Sequence, residues 1–116
     1  MNAAALVGRH DVLVFDLDGT LIDTAADIRG GLNRALSACG IEPLPLGVDP
    51  PDMHSPMRGI VQAVFAARGM RADSLDAVVA AWQKEVAHPQ REVRATLYPG
   101  VLDFLQRHEE RGCRMA

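Results

Sequence analysis

The sequence predicts an α/β protein that runs from one buried strand through three successive amphipathic helices and a polar linker to a fourth helix. Three observations lead there. Val12-Leu13-Val14-Phe15 is a continuous apolar, largely β-branched run that stops at Asp16, the pattern of a strand buried on both faces. Between residues 24 and 87 the apolar period changes from strand-like to helical in three successive stripes, each with its own stop signal. Beyond them Tyr98-Pro99-Gly100 opens one more helix that closes at Gly112. The chain has 116 residues, 48% of them apolar and 23% charged, an ordinary globular composition that excludes a disordered or fibrous chain.

The elements follow in order. Thr24 and Asp27 form a possible capping box, after which Ile28, Leu32, Ala35, Leu36 and Cys39 share a helical face and Gly40 stands as the stop. Residues 41–56 hold five prolines, which forbid a regular helix and predict a stiff loop. Ser55-Pro56 then reads as an N-cap with proline at the first helical position, followed by Met57, Ile60, Val61, Val64 and Phe65 up to Gly69. Asp73-Ser74 caps a third helix with the stripe Leu75, Val78, Val79, Trp82 and Val86, ending before Pro89. Residues 87–96 are polar and arginine-rich, a return linker. The last helix carries Val101, Leu102, Leu105 and His108. Past Gly112 a second strand is expected to begin, so Val12–Phe15 has no partner legible in the sequence and is expected to be exposed or mispaired.

Composition also narrows function. A net charge of -3 with pI near 5.7 lacks the positive surplus that phosphate neutralisation requires, so no nucleic-acid partner is expected. The apolar runs 3–7 and 77–82 fall far short of the roughly 20 residues that span a bilayer; no membrane partner is expected. The N-terminus lacks the basic region of a secretory signal, and a cytoplasmic location is expected. Cys39 and Cys113 are far apart, without metal-ligand spacing, and suggest neither a zinc site nor a disulfide framework.

Asp16-Leu17-Asp18-Gly19-Thr20 is the constellation with chemical content. Residues two apart on an extended segment point to one side, so both carboxylates converge at the C-terminal end of the strand, where open α/β sheets bind ligands. Two like charges that close call for a cation between them or a proton on one, and either arrangement suits phosphoryl transfer. Gly19 permits a sharp turn, and Thr20 can hydrogen-bond across it. Taken alone, the two aspartates are equally at home as turn residues after a strand.

Residues 11–28, DVLVFDLDGTLIDTAADI, resemble the first motif and opening segment of the haloacid dehalogenase-like hydrolases, in particular the phosphoglycolate phosphatase branch. More loosely the resemblance runs over most of the chain, with Leu97-Tyr98-Pro99-Gly100-Val101 where such phosphatases return to their core. It implies a fragment of a Rossmann-like core, residues 1–20 and 96–116, with an α-helical cap over 21–95. It further implies an Mg²⁺-dependent phosphatase of a small phosphomonoester, with Asp16 as nucleophile and metal ligand. Asp18 would be the general acid/base that also offers its backbone carbonyl to the metal, and Thr20 a supporting, substrate-side residue. His54 and Arg58 lie where relatives carry a Gly-rich turn into a cap helix and could read a carboxylate or phosphate; a solvated helix start explains them as well.

The same family uses a Ser or Thr after a second strand, a Lys, and a further acidic pair. None has a counterpart here. The single lysine, Lys84, falls in the third helical stripe, and Glu109-Glu110 lies on the polar side of the last helix. The chain therefore reads as an N-terminal piece whose reading frame continues, and it is expected to be inactive alone because positioning and charge stabilisation carry most of phosphoryl transfer. The alternative is a non-catalytic remnant or a helical interaction module. No feature fixes an oligomeric state.

Overall fold

The computed structural model describes residues 12–116. The expectations for residues 1–11, including Asp11 and the apolar stretch 3–7, lie outside the described residues. The chain forms an α/β arrangement of two compact units, Thr24–Ala95 and the segments that precede and follow it.

Within Thr24–Ala95, helices α1 (Ala25–Ala38), α2 (Met57–Ala67) and α3 (Leu75–Ala87) are built on the three stripes, with a 3-10 turn at Ala72–Ser74 leading into α3. α3 is the central element and packs against both α1 and α2. The core is Leu32, Ala35 and Leu36 from α1, Ile60, Val61, Val64 and Phe65 from α2, and Leu75, Val78, Val79 and Trp82 from α3. Each fully buried leucine or valine there contributes about 1.5–3 kcal/mol relative to exposure. α1 and α2 end alike: a glycine of positive φ (Gly40, Gly69) lets the next N–H turn back to the carbonyl five residues earlier, Ile41 to Leu36 and Met70 to Phe65, each at 2.9 Å. Ile41 and Met70 then pack against the core, the apolar contact that accompanies this stop. The proline loop is tied down by Asn33, which accepts the Leu44 N–H (2.8 Å) and donates to the Leu44 carbonyl, and by the Arg68 guanidinium on the Glu42 and Pro43 carbonyls.

Two expected caps differ. Thr24 is the N-cap of α1 without a side-chain cap bond, and the Asp27 carboxylate that a capping box would turn back to the Thr24 N–H is engaged elsewhere: Oδ1 accepts the N–H of Arg94 at 2.6 Å and Oδ2 that of Ala95 at 3.0 Å. α2 starts one residue later than expected, with Pro56 rather than Ser55 as N-cap.

The other unit holds β1 (Val12–Leu13), β2 (Ile22–Asp23), β3 (Thr96–Leu97), α4 (Val101–Glu110) and β4 (Arg114–Met115). β1 pairs parallel with β4, Val12 opposite Arg114 and Leu13 opposite Met115. The pairing continues through the Phe15 N–H to the Ala116 carbonyl (2.8 Å) and the Ala116 N–H to the Leu13 carbonyl (2.9 Å). This corrects the expectation that Val12–Phe15 lacks a partner: the residues after Gly112 are that partner. It also corrects burial on both faces, since Val12 and Val14 are 51% and 78% exposed. With one neighbouring strand among the described residues, only part of the run is covered; Phe15 sets its ring edge-on to Phe104 of α4 at 6.1 Å. α4 buries His108 more than its aliphatic stripe, and Leu102 is exposed. The His108 ring lies 4.2 Å from that of Phe104 and its Nδ1 is 2.6 Å from the Phe104 carbonyl.

Candidate active site

The Asp16–Thr20 segment is held at both ends by backbone pairing. On its N-terminal side the ladder between β1 and β4 extends as far as Phe15, the residue before Asp16. On its C-terminal side β2 and β3 pair antiparallel, Ile22 opposite Leu97 and Asp23 opposite Thr96, with the Tyr98 N–H donating to the Leu21 carbonyl at 3.1 Å. Between these anchors the Leu17 carbonyl accepts three N–H groups, from Thr20 (3.3 Å), Leu21 (3.0 Å) and Ile22 (3.1 Å). The Gly19 N–H donates to the Ile22 carbonyl at 2.9 Å, which makes an isolated bridge of Asp18 with Ile22. Gly19 has φ 74°, a conformation that penalises a side chain, so the turn depends on glycine there.

Asp16, Asp18 and Thr20 are all exposed. The strand end therefore presents two carboxylates, two residues apart, on a backbone fixed by hydrogen bonds rather than by burial. Fixed backbone and free carboxylates are what a nucleophile and a nearby acid/base need, because the groups must be oriented yet reach an incoming ligand.

His54 and Arg58 fall in the other unit. His54 is exposed in the turn that ends the proline loop, where Asp52 carries φ 54° and accepts the Ser55 N–H at 2.8 Å. Arg58, in the first turn of α2, donates from Nη2 to Oδ1 of Asp76 on α3 at 2.5 Å, and the two line a cavity of about 430 Å³ with Gln62, Phe65 and Met70. The guanidinium thus already has an acidic partner, and a ligand anion would compete with Asp76 for it. An ion pair this exposed, 54% and 84%, contributes at most about 1 kcal/mol.

Mg²⁺ is held through one or two carboxylates, with waters and substrate phosphate completing its octahedron. Asp16 offers a carboxylate oxygen of that kind, and Asp18 two residues on offers a backbone carbonyl. Among the described residues no group of three or more His, Cys, Asp or Glu side chains could hold a metal ion, so the pair fits the protein share of such a site without forming a complete cage.

The family model of the haloacid dehalogenase-like hydrolases matches residues 13–116. The chain belongs to this family. It is 37% identical over 107 residues to a phosphoglycolate phosphatase of Rhodobacter capsulatus, covering 90% of the chain and 48% of that protein. A phosphoglycolate phosphatase of Agrobacterium fabrum is 29% identical over 105 residues, covering 89% of the chain and 45% of that protein. Among solved structures, a chain from Clostridium difficile superposes with a TM-score of 0.67 at 17% identity, covering 91% of this chain and 47% of that one. A predicted phosphoglycolate phosphatase from Haemophilus somnus gives 0.62 at 17% identity, over 92% and 50%. These likenesses establish the fold. The chain spans about half the length of the curated relatives it matches.

Proposed function

We propose that this hydrolase is an Mg²⁺-dependent phosphatase of a small phosphomonoester of the phosphoglycolate kind, acting through an aspartyl-phosphate on Asp16. The observation that carries the reading is the pairing of Asp16 and Asp18 on a fixed turn within a stretch 37% identical to a phosphoglycolate phosphatase. An Asp16 carboxylate oxygen attacks phosphorus and the bond from phosphorus to the ester oxygen breaks. Asp18 gives its proton to the departing alkoxide, which leaves as the alcohol. Asp18 then takes a proton from a water that attacks the acyl-phosphate, releasing inorganic phosphate and the free Asp16 carboxylate. Bound Mg²⁺, held by a carboxylate oxygen of Asp16 and the backbone carbonyl of Asp18, would offset the repulsion between the Asp16 carboxylate and a phosphate dianion. Thr20 would support the turn on the substrate side.

Residues 21–95 would act as the cap that excludes water from the acyl-phosphate while residues 1–20 and 96–116 contribute to the core, with His54 and Arg58 as candidate readers of the substrate's distal anion. The single lysine, Lys84, is exposed on α3, and no Ser or Thr after a second strand and no further acidic pair of the family's kind is found among the 116 residues. The 116-residue chain alone is therefore expected to be inactive, and the cytoplasm is the proposed place of action for the active polypeptide.

The test is hydrolysis of 2-phosphoglycolate by the polypeptide that cells make from this reading frame, with Mg²⁺ and with EDTA. Activity that depends on Mg²⁺ supports the reading. Activity undiminished by EDTA overturns its metal requirement, and no hydrolysis of any small phosphomonoester favours a non-catalytic helical module.

A further inference from the structure

The cavity of about 430 Å³ between α2 and α3 lies wholly within Thr24–Ala95 and has the size of a small-molecule site. Its long axis follows from spacing on α2. Arg58, Gln62 and Ala66 recur every four residues and so form one row, with Ala66 about 12 Å along the helix from Arg58. The row runs from charge to apolar surface: Arg58 pairs with Asp76 of α3 at one end, and Met70 lies past the helix terminus at the other. Buried Phe65 and Leu75 form the floor, and the small side chains of Ala66 and Ala72 leave the space above it open.

The charged end has recognition capacity to spare. Nη2 of Arg58 donates to Oδ1 of Asp76 at 2.5 Å; among the described residues neither side chain makes a further hydrogen bond, and the Gln62 carboxamide makes none. The other N–H groups of the guanidinium and Oδ2 of Asp76 are therefore open to a ligand. A lone anion on Arg58 would be repelled by the Asp76 carboxylate beside it, and a lone cation on Asp76 by the guanidinium. A molecule that carries both charges on one carbon escapes this conflict. Its carboxylate takes N–H groups of Arg58, its ammonium faces Oδ2 of Asp76, and the four charges alternate in sign. Gln62, one turn along, can donate to the same carboxylate.

We propose that this cavity binds a free α-amino acid with an apolar side chain, its zwitterionic head on Arg58 and Asp76 and its side chain laid over Phe65 and Leu75 toward Met70. The site stands apart from the phosphatase reading, in which Arg58 is a candidate reader of a lone anion; here Asp76 shares the ligand.

The test is an amide NMR titration of the 116-residue chain with L-leucine, run beside isocaproate, which lacks the ammonium, isopentylamine, which lacks the carboxylate, and glycine, which lacks the side chain. Exposed charges interact weakly, so leucine should half-saturate on the order of 1 mM, with shifts centred on Gln62, Ala66, Met70 and Asp76. Each of the three analogues should bind about tenfold more weakly or worse. Asp76→Asn, at a position whose side chain is 84% exposed, should weaken leucine about tenfold while the Val64 and Val78 signals of the helical core stay in place. No saturable shift with leucine at tens of millimolar overturns the proposal. Isocaproate binding as tightly as leucine also overturns it, because Arg58 would then read a lone anion, and so does undiminished leucine binding in Asp76→Asn. The ligand series on the unaltered chain decides the matter if that variant unfolds. Titration reads no turnover, so lack of phosphatase activity would count against the phosphatase reading alone.

Discussion

Two adjacent glycines in α1 should answer the same substitution with opposite signs. Gly31 is buried, and a Cβ there would lie 2.5 Å from Nε1 and 3.1 Å from Cδ1 of Trp82. The indole is only 4% exposed, so it cannot yield without opening the contact between α1 and α3. Overpacking of this kind costs about 1–3 kcal/mol, against a gain of about 0.5–1 kcal/mol for alanine over glycine inside a helix. Gly31→Ala should therefore destabilise by about 1–2 kcal/mol. At Gly30 the nearest atom is Nη1 of Arg34 at 3.2 Å, the far end of a half-exposed side chain that can move aside. Gly30→Ala should keep the propensity gain and stabilise by about 0.5–1 kcal/mol. Urea unfolding followed by the fluorescence of Trp82, the one tryptophan, measures both. With a slope of about 1 kcal/mol per M for a unit this small, the two midpoints should separate by about 2 M. A Gly31→Ala midpoint at or above wild type, or both variants moving the same way, would refute the packing argument.

Leu36, fully buried between α1 and α3, should cost about 2–5 kcal/mol as Leu36→Ala, read as loss of helical circular dichroism at lower urea. Asn33→Ala removes both side-chain bonds to Leu44 and should make residues 41–56 markedly more sensitive to protease while the helices persist. The Arg94 guanidinium, bonded to Glu92, holds the Glu92 carboxyl below the usual glutamate range. A depressed carboxyl contributes stability above the unfolded-state value and loses it as pH falls through the folded-state value, so Glu92 should titrate by NMR at lower pH than in the Arg94→Ala variant. Arg58→Ala should change stability by less than about 1 kcal/mol, because its ion pair with Asp76 is exposed.

The helices were legible because burial imposes period: Leu32, Leu36, Val61, Val64, Val78 and Trp82 all sit on the faces their spacing predicts. Glycine stops were legible for the same kind of reason, since Gly40, Gly69 and Gly112 take positive φ where the apolar pattern ends. Membership of the hydrolase family was readable in residues 11–28 together with Leu97–Val101, two local segments whose residue order is itself distinctive, and not in the two aspartates alone. Pairing of β1 with β4 was not, because Arg114–Met115 is two residues long and shows no period-two alternation. The partner of Asp27 was hidden for a different reason: its acceptor bonds reach 67 and 68 residues away to backbone N–H groups, which leave no mark in side-chain pattern, whereas Thr24 nearby offered a local explanation. Arg58 carried a similar ambiguity, since nothing in its own helix announces Asp76 as a partner.

The proposed reaction turns on transient phosphorylation of Asp16. Radiolabelled 2-phosphoglycolate mixed with the active polypeptide in Mg²⁺, quenched in acid within the first turnover and digested for mass spectrometry, reads it directly. Label should appear on the peptide containing residues 12–20 at Asp16, labile to hydroxylamine. It should vanish in Asp16→Asn, with turnover down by about 10⁴-fold or more, as when other enzymes lose a catalytic nucleophile. Turnover that survives Asp16→Asn, or label that settles on a residue other than Asp16, would contradict it.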